Sequence, residues 1–370
     1  MSLRILHLAD LHLGAPLSYL GAKAAQRAGE MESAFSRALK MAPEKRVHVV
    51  VIAGDLFDSF TPPPTLVSFV KAEFERLAHA GIPVILIPGT HDSYHYSRCV
   101  YRRERFPGTD VLLDASPLHK SINGHDVYFY GFSGSRDATD FMKGNAEGIH
   151  VALVHGTVGD AEHWKPGSRD FSLHESALER SGFQYVALGH HHNFRLIQRG
   201  PLTAVYPGTI EGLKFGENDD RYLVFADIDA HGVTLEKVKH NLRTLREVEI
   251  DLAAQGIESN DALAAAIERH AGPDSMLRIS LSGAANFVPA LDRLEAQLSE
   301  RFFHLELIDR TATYRSEVVR SMASENTVRG IFVRKMLDKI ENSSPEGRAA
   351  AELALRLGVQ QFLRVTNENQ

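Results

Sequence analysis

The sequence predicts an α/β protein built on a largely parallel sheet, and two observations carry that prediction. Apolar runs of strand length recur between residues 4 and 193, and each closes in a polar cluster: RILHLADLH, HVVVIAGDLFD, IPVILIPGTHD, IHVALVHGT and FQYVALGHHHN. Helical patterns, MESAFSRALKMAP and PTLVSFVKAEFERLAHAG, stand between the early runs. Strands that alternate with helices favour parallel pairing. Ligands of such sheets collect beyond the carboxyl ends of the strands.

Taken in order, the first run ends in Asp10 and His12, and the second in Asp55 and Asp58. Before the third, Leu66, Phe69, Val70, Phe74 and Leu77 recur at helical spacing until Gly81 stops the helix. The third run is apolar without alternation, as in a strand buried on both faces, and it releases His91 and Asp92. The fourth supplies His155, and the fifth His190, His191 and His192. Residues two apart in an extended segment project to the same side. Asp10 with His12, and His190 with His192, can therefore each address one point, while His191 faces away. His7, His48 and His150 fall within strands and read as core or surface residues. Any one pair is an ordinary turn. Five runs that all release imidazole or carboxylate at one edge of one sheet form a constellation.

Carboxylates and imidazoles without thiolates suit manganese, iron or zinc rather than calcium. Six such ligands are too many for one ion and suit two that share a bridging carboxylate. Two ions about 3.5–4 Å apart generate a hydroxide and clamp a phosphoryl oxygen. The chemistry implied is hydrolysis of a phosphate ester.

Composition sets the bounds. The 370 residues exceed one typical domain, and 44% hydrophobic with 24% charged residues fits a globular chain. A formal charge of −6 excludes a generally basic nucleic-acid binder but not a local basic patch. The single cysteine, Cys99, cannot pair internally, as expected in a reducing compartment. No apolar run approaches the roughly 18 residues of a membrane helix, and RILHLADLH already reads as a strand where a signal peptide would lie. A cytoplasmic protein without a membrane partner is expected.

The ordered blocks Asp10-Leu11-His12, Gly54-Asp55-Leu56-Phe57-Asp58, Gly89-Thr90-His91-Asp92, His155-Gly156 and Gly189-His190-His191-His192 resemble the signature of the calcineurin-like metallophosphoesterases. HLADLHLG, GDLFD and Tyr206-Pro207-Gly208-Thr209 are similar to the DNA repair exonuclease branch of that family, the SbcD-like nuclease subunits. The resemblance covers about residues 3–230. It implies a sandwich of β-sheets flanked by helices, with a small α/β capping domain and a C-terminal helical segment. It also implies one ion on Asp10, His12 and His192, with Asp55 bridging to a second on His155, His190 and the residue at position 90. In the family the equivalent of His91 sits beside the scissile phosphate and protonates or stabilises the leaving oxygen, oriented by the equivalent of Asp58. The ions would be two divalent metals, manganese foremost, with iron or zinc as alternatives. One departure stands out: the family has asparagine where this chain has Thr90, a shorter and poorer oxygen donor.

Arg98, Arg102, Arg103 and Arg105 with Tyr101 follow the third block. Arg102 and Arg103 are candidates for phosphate-backbone contact, and a solvated helical face explains them as well.

Past residue 230 the pattern changes. TLREVEIDL, SMLRISLSG and FHLELIDRT read as strands, with helices near Asn260–His270 and over Val288–Phe302. Three regions are expected: a nuclease domain over 1–240, a small α/β unit over 241–310 that caps the site and holds DNA, and a linker with a helix pair over 311–370. TATYRSEVVRSMASEN reads as the connector. Of the helix pair, NTVRGIFVRKMLDKI carries a stripe of Val333, Leu337 and Ile340, and PEGRAAAELALRLGVQQFL is capped by Ser344 with Pro345 in the first turn. In the resembling nucleases such a segment grips the coiled coil of an SMC-like ATPase. Packing on its own protein is the competing reading.

The sequence therefore points to a metal-dependent DNA exo/endonuclease, a homodimer working with an SMC-like (SbcC-like) ATPase. A small-substrate phosphodiesterase or phosphatase is one alternative, disfavoured by the added C-terminal region and the GTHD block. A non-catalytic scaffold is the other, motivated by Thr90.

Overall fold

The structure is a computed structural model that describes residues 2–114, 116–134, 141–159, 171–218, 220–285, 287–311 and 316–367. The chain divides into two compact units, Met1–Leu242 and Arg243–Gln370.

The first unit starts with β1 (Leu3–Leu8), α1 (Ala24–Glu44), β2 (Val49–Ala53), α2 (Pro64–His79), β3 (Val84–Ile87), α3 (Val100–Arg103) and β4 (Thr109–Val111). It continues through β5 (Leu118–Ile122), β6 (His125–Ser133), β7 (Ile149–Val158), β8 (Phe171–Leu173), α4 (Glu175–Arg180), β9 (Tyr185–Gly189), β10 (Arg195–Arg199) and β11 (Leu202–Tyr206). Two antiparallel strands close it, β12 (Tyr222–Asp229) and β13 (Gly232–Lys239).

These strands form two sheets. The first runs β13-β12-β1-β2-β3-β4, the second β10-β11-β9-β7-β6-β5 with β8 on β7. Strands β1 to β4 pair in parallel, as do β6, β7, β9 and β11. Antiparallel strands occur towards the edges. The alternation along each strand decides the layers. Leu6, Leu8, Val50, Ile52 and Leu86 turn to one face, where Phe35 and Leu39 of α1 and Val70, Phe74 and Leu77 of α2 cover them. Ile5, Val49, Val51, Ala53, Ile85 and Ile87 turn to the other and meet Val127, Phe129, Val151, Leu153 and Ala187 of the second sheet. Each buried aliphatic side chain contributes about 1.5–3 kcal/mol of transfer free energy.

The sandwich corrects the expectation of a single sheet edge. Asp10, His12, Asp55 and His91 follow β1, β2 and β3 of the first sheet, whereas His155, His190 and His192 belong to β7 and the end of β9 in the second. An apolar run reports that a strand is buried on both faces. Which sheet it joins depends on pairings distant in sequence.

In the second unit β14 (Thr244–Asp251), α5 (Asn260–Glu268), β15 (Gly272–Ser282), α6 (Leu291–Leu298) and β16 (Phe302–Asp309) form a three-stranded parallel sheet with crossover helices. Then come α7 (Ser316–Ala323), α8 (Val328–Glu341) and α9 (Pro345–Asn367). The stretch read as a connector thus holds a helix, α7, while residues 312–315 lie outside the described residues. Thr327 caps α8 through the Gly330 amide, and the Ser344 hydroxyl accepts from Gly347 at the start of α9. Among the described residues no helix is long and apolar enough to cross a membrane.

Candidate metal centre

The loops that follow β1 and β2 lie side by side. The amides of Asp10 and His12 donate to the carbonyls of Gly54 and Asp55 at 3.1 and 3.0 Å. This lacing holds Asp10, His12 and Asp55 in the left-handed region, at φ 52°, 42° and 49°, and His190 lies there too at 99°. Side chains rarely adopt that conformation, at a cost of order 1–3 kcal/mol each, and where they do they cluster at functional sites. Two glycines make the close approach feasible. A Cβ on Gly54 would fall 2.2 Å from His155 Nδ1, and one on Gly89 would fall 2.2 Å from Asp55 Oδ1.

Three imidazoles converge with their outer nitrogens already engaged. His12 Nδ1 donates to Asp58 Oδ1 at 2.9 Å. His192 Nδ1 donates to Glu217 Oε1 at 2.6 Å. His155 Nδ1 donates to the Ala53 carbonyl at 2.9 Å. With the proton of the neutral ring on Nδ1, each Nε2 faces inward and is free to offer its lone pair to a cation. His12 and His192 Nε2 stand only 3.2 Å apart. His155 Nε2 is buried 3.3 Å from Asp55 Oδ2. The ligand atoms of Asp10, His12 and His192 lie within 4.8 Å of one another, as do those of Asp10, Asp55 and His155.

The charges fit the same reading. Asp10 and Asp55 are both buried. Burial, with the Asp55 charge adding to it, holds the Asp10 carboxyl above the usual carboxylate range. Burial also opposes ionisation of Asp55, but His155 and His12 outweigh it and hold that carboxyl well below. His155 is pulled down by burial and lifted further by Asp55 and Asp10, to about 10. Facing lone pairs and buried carboxylates are reconciled by cations between them. The donor set, nitrogen and oxygen without sulfur, suits manganese, iron or zinc.

His91 stands at the rim. Its side chain is about half exposed, its Nδ1 lies 3.2 Å from Asp58 Oδ1, and its ring meets His12 edge-on at 4.6 Å. The hydrogen bond to Asp58 outweighs partial burial and raises the imidazole to about 9. Asp58 itself, opposed by burial, is held down to about 2 by His12 and His91. Its one oxygen thus serves both rings. Asp92, the neighbour of His91, points the other way: it accepts from Gly89, Phe57 and the Tyr101 hydroxyl and braces the loop.

The remaining expected residues are placed as follows. Thr90 Oγ1 donates to Asp55 Oδ2 at 3.3 Å, and the His91 amide to Asp55 Oδ1 at 2.8 Å. The His190 ring lies beside His155 at 5.4 Å, and its amide donates to both Asp10 oxygens. His190 joins none of the histidine–carboxylate groupings found among the described residues. His191 leaves the centre and meets Tyr206 edge-on. Arg102 lays its guanidinium on the Tyr94 ring at 3.8 Å and donates to the Tyr94 carbonyl, while Arg103 is exposed. Glu217 and Asp92 carry roles that sequence reasoning missed. The only signal for either was a carboxylate within or near a recognised block.

Against known proteins, the family model described as Calcineurin-like phosphoesterase matches residues 3–194. The chain is 27% identical to the uncharacterized metallophosphoesterase YhaO of Bacillus subtilis, over 84% of this chain and 82% of that protein. It is 29% identical to the DNA double-strand break repair protein Mre11 of Aeropyrum pernix, over 68% of this chain and 64% of that protein. The Mre11 of Haloferax volcanii is also 29% identical, over 69% of this chain and 56% of that protein. The match thus spans less than two thirds of these Mre11 proteins.

Proposed function

The chain belongs to the calcineurin-like phosphoesterases, and from that premise we propose that it is a metal-dependent DNA nuclease of repair, of the SbcD-like branch. The observation that carries the chemistry is the convergence of three Nε2 atoms on two buried carboxylates, with His91 at the rim. DNA as substrate rests on the similarity to proteins named for double-strand break repair. On this reading Asp10, His12, Asp55 and His192 hold one divalent ion, and Asp55, His155, His190 and Thr90 hold the other, with manganese foremost. When bound, such ions supply an activated water and neutralise phosphoryl charge.

The chain's own residues supply the rest. His91 stays protonated through neutral pH because Asp58 accepts from its Nδ1, so Nε2 is left to donate to the departing oxygen. Asp58 fixes that ring and the His12 ring together. Arg103, exposed after the loop, is assigned to backbone phosphate. In the second unit, the β14–β16 sheet with its helices is assigned to holding DNA. The pair α8–α9, which exposes Val328, Ile331, Leu353 and Leu357, is assigned to an SMC-like ATPase coiled coil. A cytoplasmic homodimer completes the reading.

Metal content, cleavage of plasmid and single-stranded DNA in manganese, and hydrolysis of bis(p-nitrophenyl) phosphate test it together. Two ions with DNA cleavage are expected. Two ions with hydrolysis of the small diester alone would make it a small-substrate phosphodiesterase. Absence of both metal and cleavage would make it a scaffold.

A further inference from the structure

We infer that Glu217 is the positioning residue of this centre, acting through His192 to aim a ring nitrogen at the ion shared with His12 and Asp10. The inference rests on the metal reading above and assigns a role outside the block motifs. Glu217 is 3% exposed, and such a buried carboxylate needs every oxygen satisfied. Its Oε1 accepts from His192 Nδ1 at 2.6 Å and its Oε2 from the Leu213 amide at 2.8 Å. With one oxygen pinned by a backbone amide, the other cannot swing away from His192. The ring is then fixed in rotation and in tautomer, with the proton on Nδ1.

The His192 backbone is fixed as well. Its carbonyl accepts from Arg221 at 2.7 Å and from the Thr209 amide at 3.1 Å. Arg221 also donates to the Asn193 side chain at 2.9 Å. Backbone and side chain of one histidine are therefore held from opposite ends by Arg221 and Glu217. The opposite ring nitrogen, His192 Nε2, lies 3.2 Å from His12 Nε2, which is where a cation belongs. A carboxylate behind a metal-ligating imidazole raises its basicity, and loss of such a partner typically costs 10–100-fold in metal affinity.

Glu217→Gln is the discriminating variant, because glutamine has one acceptor oxygen where two donors converge. Manganese titration of the metal-stripped full chain should show one of the two ions weakened 10–100-fold, with the other and the melting temperature of the metal-free protein unchanged. Long-range proton–nitrogen NMR should show His192 protonated on Nδ1 in the natural protein, a check that needs no variant. An Nε2-protonated His192 overturns the inference. So does an unaltered isotherm in Glu217→Gln, and so does equal weakening of both ions with a lowered melting temperature, the mark of a merely structural role. Should the natural protein bind neither manganese nor iron nor zinc, the metal reading fails and this one with it. An unaltered variant isotherm defeats this one alone.

Discussion

The two halves of the centre are supported differently. On the Asp10 side, His12 and His192 each rest their outer nitrogen on a carboxylate, Asp58 at 2.9 Å and Glu217 at 2.6 Å. On the other side His155 rests on a backbone carbonyl, that of Ala53, at 2.9 Å, and Thr90 stands where the family has asparagine. A carboxylate makes an imidazole a stronger donor than a neutral carbonyl does. The half nearer Glu217 should therefore bind its ion tightly and the half nearer Thr90 more weakly. The expected order of affinity comes from what stands behind the imidazoles, together with the poorer oxygen donor at position 90.

The largest expected effect comes from a residue that belongs to neither half. His91→Asn should lower DNA cleavage by roughly 10²–10⁴-fold, the usual contribution of a general acid, while two manganese ions remain by metal analysis. Parallel loss of metal would turn His91 into a ligand and dissolve the division. Next, Thr90→Asn should erase the asymmetry by tightening the weaker ion about 10–100-fold, so that activity saturates at lower manganese. Two equally tight ions in the natural protein, with no change in the variant, would show that position 90 takes no part.

Asp58 links the tight half to the rim, so its removal should alter a pH profile. A general acid works while protonated, and His91 holds its proton up to about pH 9 because Asp58 accepts its hydrogen bond. In the natural protein the alkaline fall in kcat/KM should follow that value. In Asp58→Asn it should move down towards the ordinary 6.5. An unmoved limb at saturating manganese would remove Asp58 from this role.

The smallest effect lies outside both halves. Replacing Arg103 with alanine should reduce the dependence of log Kd on log salt by about one, for one phosphate contact. Arg102→Ala should change it less, since that guanidinium already lies on Tyr94. Equal slopes throughout would return both arginines to a solvated face.

The blocks were legible because each is contiguous: Asp10 and His12 announce a shared target within three residues, whereas His190 and His192 are as close in sequence and part, His192 alone joining Asp10 and His12. The carboxylate behind His192 was not, because Glu217 lies 25 residues away and its bond forms only when the loop after β11 folds back. Asp92 stood in plain view beside His91 but turned inward to Phe57 and Tyr101, a choice set by the packing of α3. Helices α1 and α2 of the first unit could be read from periodicity. The split into two sheets could not, since β1 and β7 have similar apolar runs and differ only in their pairing.

Left-handed backbone at Asp10, His12, Asp55 and His190 has a consequence for anyone engineering this chain. Glycine would relieve that backbone cost at each position, so a screen for heat resistance in metal-free buffer would press towards variants that discard the centre, against the hydrogen bonds that Asp10 and Asp55 accept from the His190 and His91 amides. Repeating the screen with manganese reverses the pressure, because an ion that binds only the native state adds RT ln(1 + [M]/Kd) to its stability. On the metal reading proposed above, the same library would then evolve in opposite directions according to what is dissolved around it, and the melting point of the natural chain would gauge the free divalent metal.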